Sequence, residues 1–504
     1  MQFQVPEKIL SQINILQLGG YEAYLVGGCV RDMIMGRNPN DWDITTDANP
    51  EQIIQVFETA GFRVVYENTF GTVGIVDESE NADSDIRTVE ITPYRLDVGY
   101  TDHRHPDQVI FSKKLEDDLM RRDFTINAMA YNPSIGHLVD LYKGHDDIKD
   151  MSIRAVGNPD ERFKEDALRM MRAVRFSAQL GFSVSHETMQ AIFENANLLE
   201  KVSRERIRDE FIKIIVSREP SVGIGFLVKL GLMKYAIPEL LEGIKCEQKG
   251  AHVYDVYDHL CHALQHAADK NYSFHVKLAA LFHDIGKPRT RRYDKNKDKY
   301  TFFGHEVVGA RMTKDIMSRL KFSKKDIEMI SRLVRWHMFF SDTEIITLSP
   351  VRRMIANMAS NDINKDVSPE NHPIWELMRI RECDRVGMKK KEAPYRLRKY
   401  FAMIEEALRD PISVSQLKID GGYMIKEMQM KPGPRMGWIL HALLEEIIED
   451  SVKNTIEYLV SRVTELEKLS DGELKKLGDQ GKEKKEIVDE QEKDQLHAKH
   501  GVRK

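Results

Sequence analysis

Cysteine is scarce in this sequence. Four occur in 504 residues, Cys29, Cys246, Cys261 and Cys383, and none forms a Cys-x-x-Cys pair. That argues against a disulfide framework or a cysteine zinc site and fits a reducing compartment. Long apolar runs are missing too. No stretch approaches the ~20 residues of a membrane span, and the first residues carry no apolar signal core. The expectation is a cytoplasmic protein with no membrane partner. Positive charge is not in excess: 75 Lys and Arg stand against 80 Asp and Glu, for a net charge of −5. Any nucleic-acid grip must therefore come from local clusters. Residues 470–504 have few apolar side chains and are expected to be disordered or an extended helix. The chain as a whole is 41% hydrophobic, enough for a core-forming protein of roughly three to four domains.

What is present begins with Tyr24-Leu-Val-Gly27-Gly28-Cys-Val-Arg31-Asp32. Tyr24 to Val26 reads as a short buried strand and Val30 to Met35 as the start of a helix. Gly27-Gly28 turns the chain between them and leaves N–H groups uncovered at a helix N-terminus, an anion site. Asp41 and Asp43 follow. If Trp42 to Thr45 is a strand, alternation puts both carboxylates on one face. Paired carboxylates beside a phosphate cradle suit two Mg²⁺ ions and a nucleoside triphosphate. Asn49-Pro50 opens a helix that Gly61 ends. Strands are predicted at 62–66, 72–76 and 86–94. Glu90, on the last, is either a third metal carboxylate or a solvent-facing strand residue. Residues 99–106 read as a polar loop.

Leu115 to Ala130 is predicted to be one helix carrying Arg121 and Arg122. Arg122 could hold phosphate or ribose oxygens, or pair with Asp117 or Asp118. Glu161 to Leu180 is predicted to be a second helix, with Asp166, Arg169, Arg172 and Arg175 recurring every third residue. Asp166 and Arg169 form either an intrahelical pair or a hydrogen-bonding edge for a base. Lys201, Arg204, Arg206 and Arg208 form a basic cluster, either a tRNA-backbone track or a solvated face. Further on, His259, His262 and His266 share a helical stretch. His283-Asp284 ends an apolar run, and His305, His337 and Asp384 come later. Imidazole and carboxylate donors suit a divalent metal whose identity the order of affinities does not fix.

These motifs resemble those of the class II CCA-adding enzymes and bacterial poly(A) polymerases of the nucleotidyltransferase superfamily. The likeness runs from about Tyr24 to Leu240 and includes Arg121 to Ala128 and Glu165 to Arg172. It implies that Gly28, Arg31 and Arg122 bind nucleotide and that Asp41 and Asp43 hold the metals. It implies that Asp166 and Arg169 pair with CTP and then ATP, that Arg172 and Arg175 bind phosphate, and that Tyr100 to Pro106 is the loop that goes with adding the final A. Residues 250–390 resemble the HD-superfamily phosphohydrolases. His259, His283, Asp284 and Asp384 match that family's four ligands, and His305 and His337 its extra histidines. The implied class is α+β: a small mixed α/β nucleotidyltransferase head (1–150), a helical neck (151–245), an HD domain (246–395) and a helical tail (396–469). The implied function is addition of C, C and A to tRNA from CTP and ATP. The alternatives are a poly(A) polymerase and an HD phosphohydrolase acting on RNA ends.

Overall fold

The computed structural model describes residues 2–66, 71–76, 88–99, 108–248, 253–296, 298–338, 347–358, 369–386, 394–409 and 414–477. The loop at 100–106 therefore lies outside the described residues, as does the tail beyond 477. The chain forms two compact units, 1–331 and 332–504. Their boundary falls inside the stretch 246–395.

The first unit opens with helix α1 (Glu7–Leu18) and strand β1 (Ala23–Val26), followed by α2 (Gly28–Ile34) and β2 (Asp43–Thr46). Helix α3 (Pro50–Thr59) starts on a reciprocal cap between Asn49 and Gln52 with Pro50 in its first turn. Strands β3 (Arg63–Tyr66), β4 (Val73–Val76), β5 (Thr88–Pro93), β6 (Arg95–Val98) and β7 (Gln108–Phe111) follow. After α4 (Leu115–Met120) come β8 (Met129–Asn132) and β9 (His137–Asp140). Seven strands make one sheet in the order β3-β4-β5-β2-β1-β8-β9. Its centre is apolar: Leu25, Ile44, Ile75 and Ile91 are fully buried, which fixes the register.

Two predicted helices are corrected. The stretch from Leu115 to Ala130 is helical only to Met120. Its end turns into β8, which pairs with β1 at Leu25↔Tyr131 and Val26↔Ala130. Pairing at the sheet centre outweighs a local helical pattern. The stretch from Glu161 to Leu180 is two helices, α6 (Pro159–Glu165) and α7 (Leu168–Leu180), after α5 (Gly144–Lys149). Asp166 breaks them apart: its backbone is extended at φ −136° and ψ 101°, and its side chain accepts from Leu168 N–H at 3.1 Å. A short aspartate competes with the helix for backbone donors.

Strands β10 (Ser152–Ile153) and β11 (Ser183–Val184) pair in parallel. Helices α8 (His186–Asn195), α9 (Arg204–Ile215), α10 (Pro220–Lys229) and α11 (Met233–Ala236) continue the neck. Then come α12 (Val256–Asp269), α13 (Phe274–Phe282), α14 (Lys287–Thr290), the antiparallel pair β12 (Arg292–Asp294) and β13 (Lys299–Thr301), and α15 (His305–Arg319). The second unit is helical, with a core that includes Leu443, Leu459 and Val463. Residues 471–477 are helical too, and Leu474 is fully buried in that core. Order thus extends past position 470, because Leu474 enters a core and Leu477 packs against it. None of the described helices is long and apolar enough to cross a membrane.

Candidate nucleotide and metal sites

The first site grows from the β1–α2 turn. Gly27 has φ 78°, which glycine alone adopts without cost. A Cβ there would stand 3.2 Å from Arg122 Nη1 and 3.4 Å from Asp43 Oδ2. The bare turn is therefore roofed by one guanidinium and one carboxylate. At Gly28 the nearest group is Arg31 Nη2, 3.6 Å from a Cβ position. The α2 helix has only seven residues, so these two arginines, more than a helix dipole, supply the positive field.

Asp43 opens β2, opposite Val26 of β1. On its other side it is in register with Glu90 of β5, so both side chains share one face of the sheet. Asp41 is corrected: it precedes the strand in a bend and is exposed, so alternation does not orient it. It is nevertheless felt. Burial raises the Asp43 pKa, Arg122 offsets part of that, and the nearby charge of Asp41 raises it again. Carboxylates crowded in this way fit a divalent cation.

Each arginine of the site is paired with a carboxylate, and two of them share one. Arg122 reaches Asp118 at 2.8 Å, and Arg121 reaches the same residue at 2.6 Å. Asp118 is fully buried. Burial alone would raise it, but Arg121 and Arg122 together hold it below its usual value. Arg31 donates to Asn127 at 2.8 Å and to Asp32 at 2.9 Å. Arg172 pairs with Asp123 at 2.5 Å. There too burial is outweighed, by Arg172 first, and Asp123 falls to about 2. Arg175 pairs with buried Glu210 at 3.0 Å. Burial and then Arg172 bring Arg175 down to about 10. Arg31, Arg172 and Arg175 all lie over the Phe176 ring, at 5.4, 5.5 and 4.3 Å.

Asp166 and Arg169 flank the helix break. Arg169 donates to Glu165 at 2.7 Å and to the Arg121 carbonyl at 2.9 Å. Asp166 is gripped by both Nη atoms of Arg206, at 3.1 and 2.8 Å. Three members of the basic cluster have partners within the chain. Arg206 serves Asp166, Arg204 donates to the Tyr235 carbonyl, and Arg208 bonds Asp209 and the Lys321 carbonyl. The sequence signal for one overlooked partner was available: Glu210 lies among Ile207, Phe211 and Ile214 on the buried side of α9, where a charge needs a mate.

The second site gathers His259 of α12, the His283-Asp284 doublet after α13, and His305 of α15. All four are buried. His259 Nε2 is 3.1 Å from His283 Nε2 and 3.5 Å from Asp284. His283 and His305 lie 3.3 and 3.2 Å from Asp284. Their Nδ1–H groups donate to the Ala280 and Phe302 carbonyls, which fixes the tautomer and turns Nε2 lone pairs inward. Facing lone pairs beside a carboxylate fit a cation. Lys287 also reaches Asp284, at 2.6 Å. Burial would raise Asp284, but Lys287 and His283 hold it well below its usual value. Gly286 lets this turn press on α15: a Cβ would meet the His305 carbonyl at 2.3 Å. His262 stacks instead on Tyr254, at 4.2 Å. In the second unit, Asp384 is buried and accepts from Arg381 at 2.7 Å, and His337 is buried with Nδ1 on the Val334 carbonyl.

Four family models match the chain: the poly A polymerase head domain at 23–154, the probable RNA and SrmB-binding site of polymerase A at 181–243, the HD domain at 252–387 and the putative tRNA nucleotidyltransferase domain 2 at 395–463. The CCA-adding enzyme of Lactiplantibacillus plantarum is 44% identical over 234 residues, 46% of this chain and 54% of that protein. The chain thus spans about half the length of the first curated relatives it matches. The CCA-adding enzyme of Ligilactobacillus salivarius is 31% identical over 475 residues, 92% of this chain and 98% of that one. Among solved structures, the Bacillus stearothermophilus CCA-adding enzyme in complex with CTP is similar with a TM-score of 0.64 and 25% identity, covering 92% of this chain and all of the other.

Proposed function

This chain belongs to the CCA-adding enzyme family, and from that premise we propose that it adds C, C and A to tRNA 3′ ends from CTP and ATP. The observation that carries the proposal is the meeting of Gly27, Arg122 and Asp43 at one turn. In this proposal Asp41 and Asp43, with Glu90 on the adjoining strand, hold two Mg²⁺ ions. When bound, such ions lower the pKa of the attacking 3′-hydroxyl and steady the departing pyrophosphate. Arg31, Arg122, Arg172 and Arg175 take phosphate oxygens over Gly28. Arg169 donates to the base and Asp166 accepts from it. Arg206 and Leu168 N–H occupy both positions on Asp166 Oδ1 and one on Oδ2, so one acceptor position is left. Cytosine and adenine both offer an exocyclic amino donor, where uracil and guanine offer a carbonyl. That single position therefore suits C and A alike. Asp41→Ala is expected to abolish incorporation of labelled CMP and AMP into tRNA lacking its 3′ end, with tRNA binding retained. Full incorporation would sink the proposal. Sequencing the wild-type product separates a CCA end from the long A tail of a poly(A) polymerase.

A second activity is supported by the inward Nε2 atoms around Asp284: a metal-dependent phosphohydrolase with His259, His283, Asp284 and His305 as ligands. Asp384 and His337 enter that ligand set through the sequence motif. A cytoplasmic site of action accords with four free cysteines.

A further inference from the structure

Between the His283-Asp284 doublet and His305 the chain forms a short ribbon whose composition departs from the rest. From Lys287 to Phe303 the sequence holds seven Lys or Arg against two Asp, in a chain of net charge −5. Strands β12 and β13 set Tyr293 opposite Tyr300, with ring centroids 5.4 Å apart. The Arg291 guanidinium lies 3.7 Å from the Tyr300 centroid. Tyr293 is 49% exposed and Phe303 38%. Arg292, Lys295 and Lys299 are exposed as well. Arg289 is taken by Glu242 at 2.7 Å.

Both feet of the ribbon stand on the histidine site. At one foot, Lys287 pairs with Asp284 and lies 5.6 Å from the Phe302 ring centroid. At the other, the Phe302 carbonyl accepts from His305, whose Nε2 faces Asp284. Three-residue strands extend about 10 Å, enough to carry a few nucleotides. Exposed cations interleaved with aromatic faces suit a single strand of nucleic acid. The cations take phosphates, and the rings stack bases whatever their sequence. An acidic peptide would use the cations and leave the rings wet.

We propose that this ribbon is a grip for single-stranded RNA and leads the strand's 3′ end to the site formed by His259, His283 and Asp284. The proposal rests on the hydrolytic reading of that site, and its test keeps the two apart. The full chain is irradiated with a short oligouridylate whose 5′-terminal residue is 4-thiouridine, so that the label lies on the ribbon when the 3′ end reaches the histidines. Crosslinks are expected within 291–303. Their yield should drop about tenfold in the double variant Arg292→Gln, Lys299→Gln, with an unchanged melting temperature. Crosslinks that spare 291–303, equal yield in the variant, or displacement of the RNA by polyglutamate at lower concentration than by unlabelled oligouridylate would overturn it. Hydrolysis of bis(p-nitrophenyl) phosphate with added Mn²⁺ is measured alongside. Its absence in the wild type removes the hydrolytic reading, while the crosslink decides the ribbon.

Discussion

Asp43 and Asp166 are both carboxylates of the proposed nucleotide site, and their neighbours put them in opposite situations. Asp43 is half-buried near another acid, and both effects favour its protonated form in the fold. Stability from that group is present below the unfolded pKa, about 3.9, and is lost as the pH rises through the higher folded value. In EDTA at neutral pH, Asp43→Asn should therefore raise the melting temperature by a few degrees, about 1 kcal/mol, while nucleotide addition disappears. A lower melting temperature would contradict the crowding argument. Asp166, by contrast, is fixed by a two-pronged arginine. Lysine keeps the charge of Arg206 but loses the fork. Arg206→Lys should reduce the preference for CTP over UTP in kcat/KM about tenfold. A purely structural role would lower both substrates equally and leave the ratio intact.

Among the elements, two turns do most to build the sites. The break between α6 and α7 frees Asp166 from helical geometry while Arg169 stays in the helix that follows. An unbroken helix would have kept them as an ordinary pair three residues apart. The turn after α13 is set by Gly286, whose missing side chain admits the backbone of α15. Gly286→Ala must push apart main chain that cannot rotate away. Overpacking of this kind costs about 1–3 kcal/mol. Calorimetry should show the lower melting temperature, and titration with Mn²⁺ should show weakened binding, because His305 is the first residue of α15 and moves with it. Unchanged binding would mean that His305 is not a ligand.

On the scale of the molecule, the first unit holds both the Gly27 turn and the histidine cluster, and each has its own donors and its own carboxylates. Substitutions at separate sites that share no partner act independently. His283→Ala should abolish Mn²⁺-dependent ester hydrolysis and leave CCA addition within about twofold. A parallel loss of both activities, at full stability, would show that the two sites are coupled.

Local chemistry was enough to mark the candidate sites. Gly27-Gly28, Asp41-x-Asp43, the Asp166 to Arg175 series and His283-Asp284 could be picked out because metal and phosphate chemistry restrict residue type and spacing over a few positions. The short strands before and after the Gly-Gly turn were visible for a similar reason, since burial imposes a local apolar pattern. Partnerships across the chain were not legible. Nothing near Asp166 in sequence announces Arg206, forty positions away, or ties Arg175 to Glu210. The first two residues of the strand at Met129–Asn132 also read as helix until β1 is there to pair with them. Only folding brings those groups together, because a charge removed from water takes whichever counter-charge the packing places beside it, and an unpaired strand edge takes the nearest free edge.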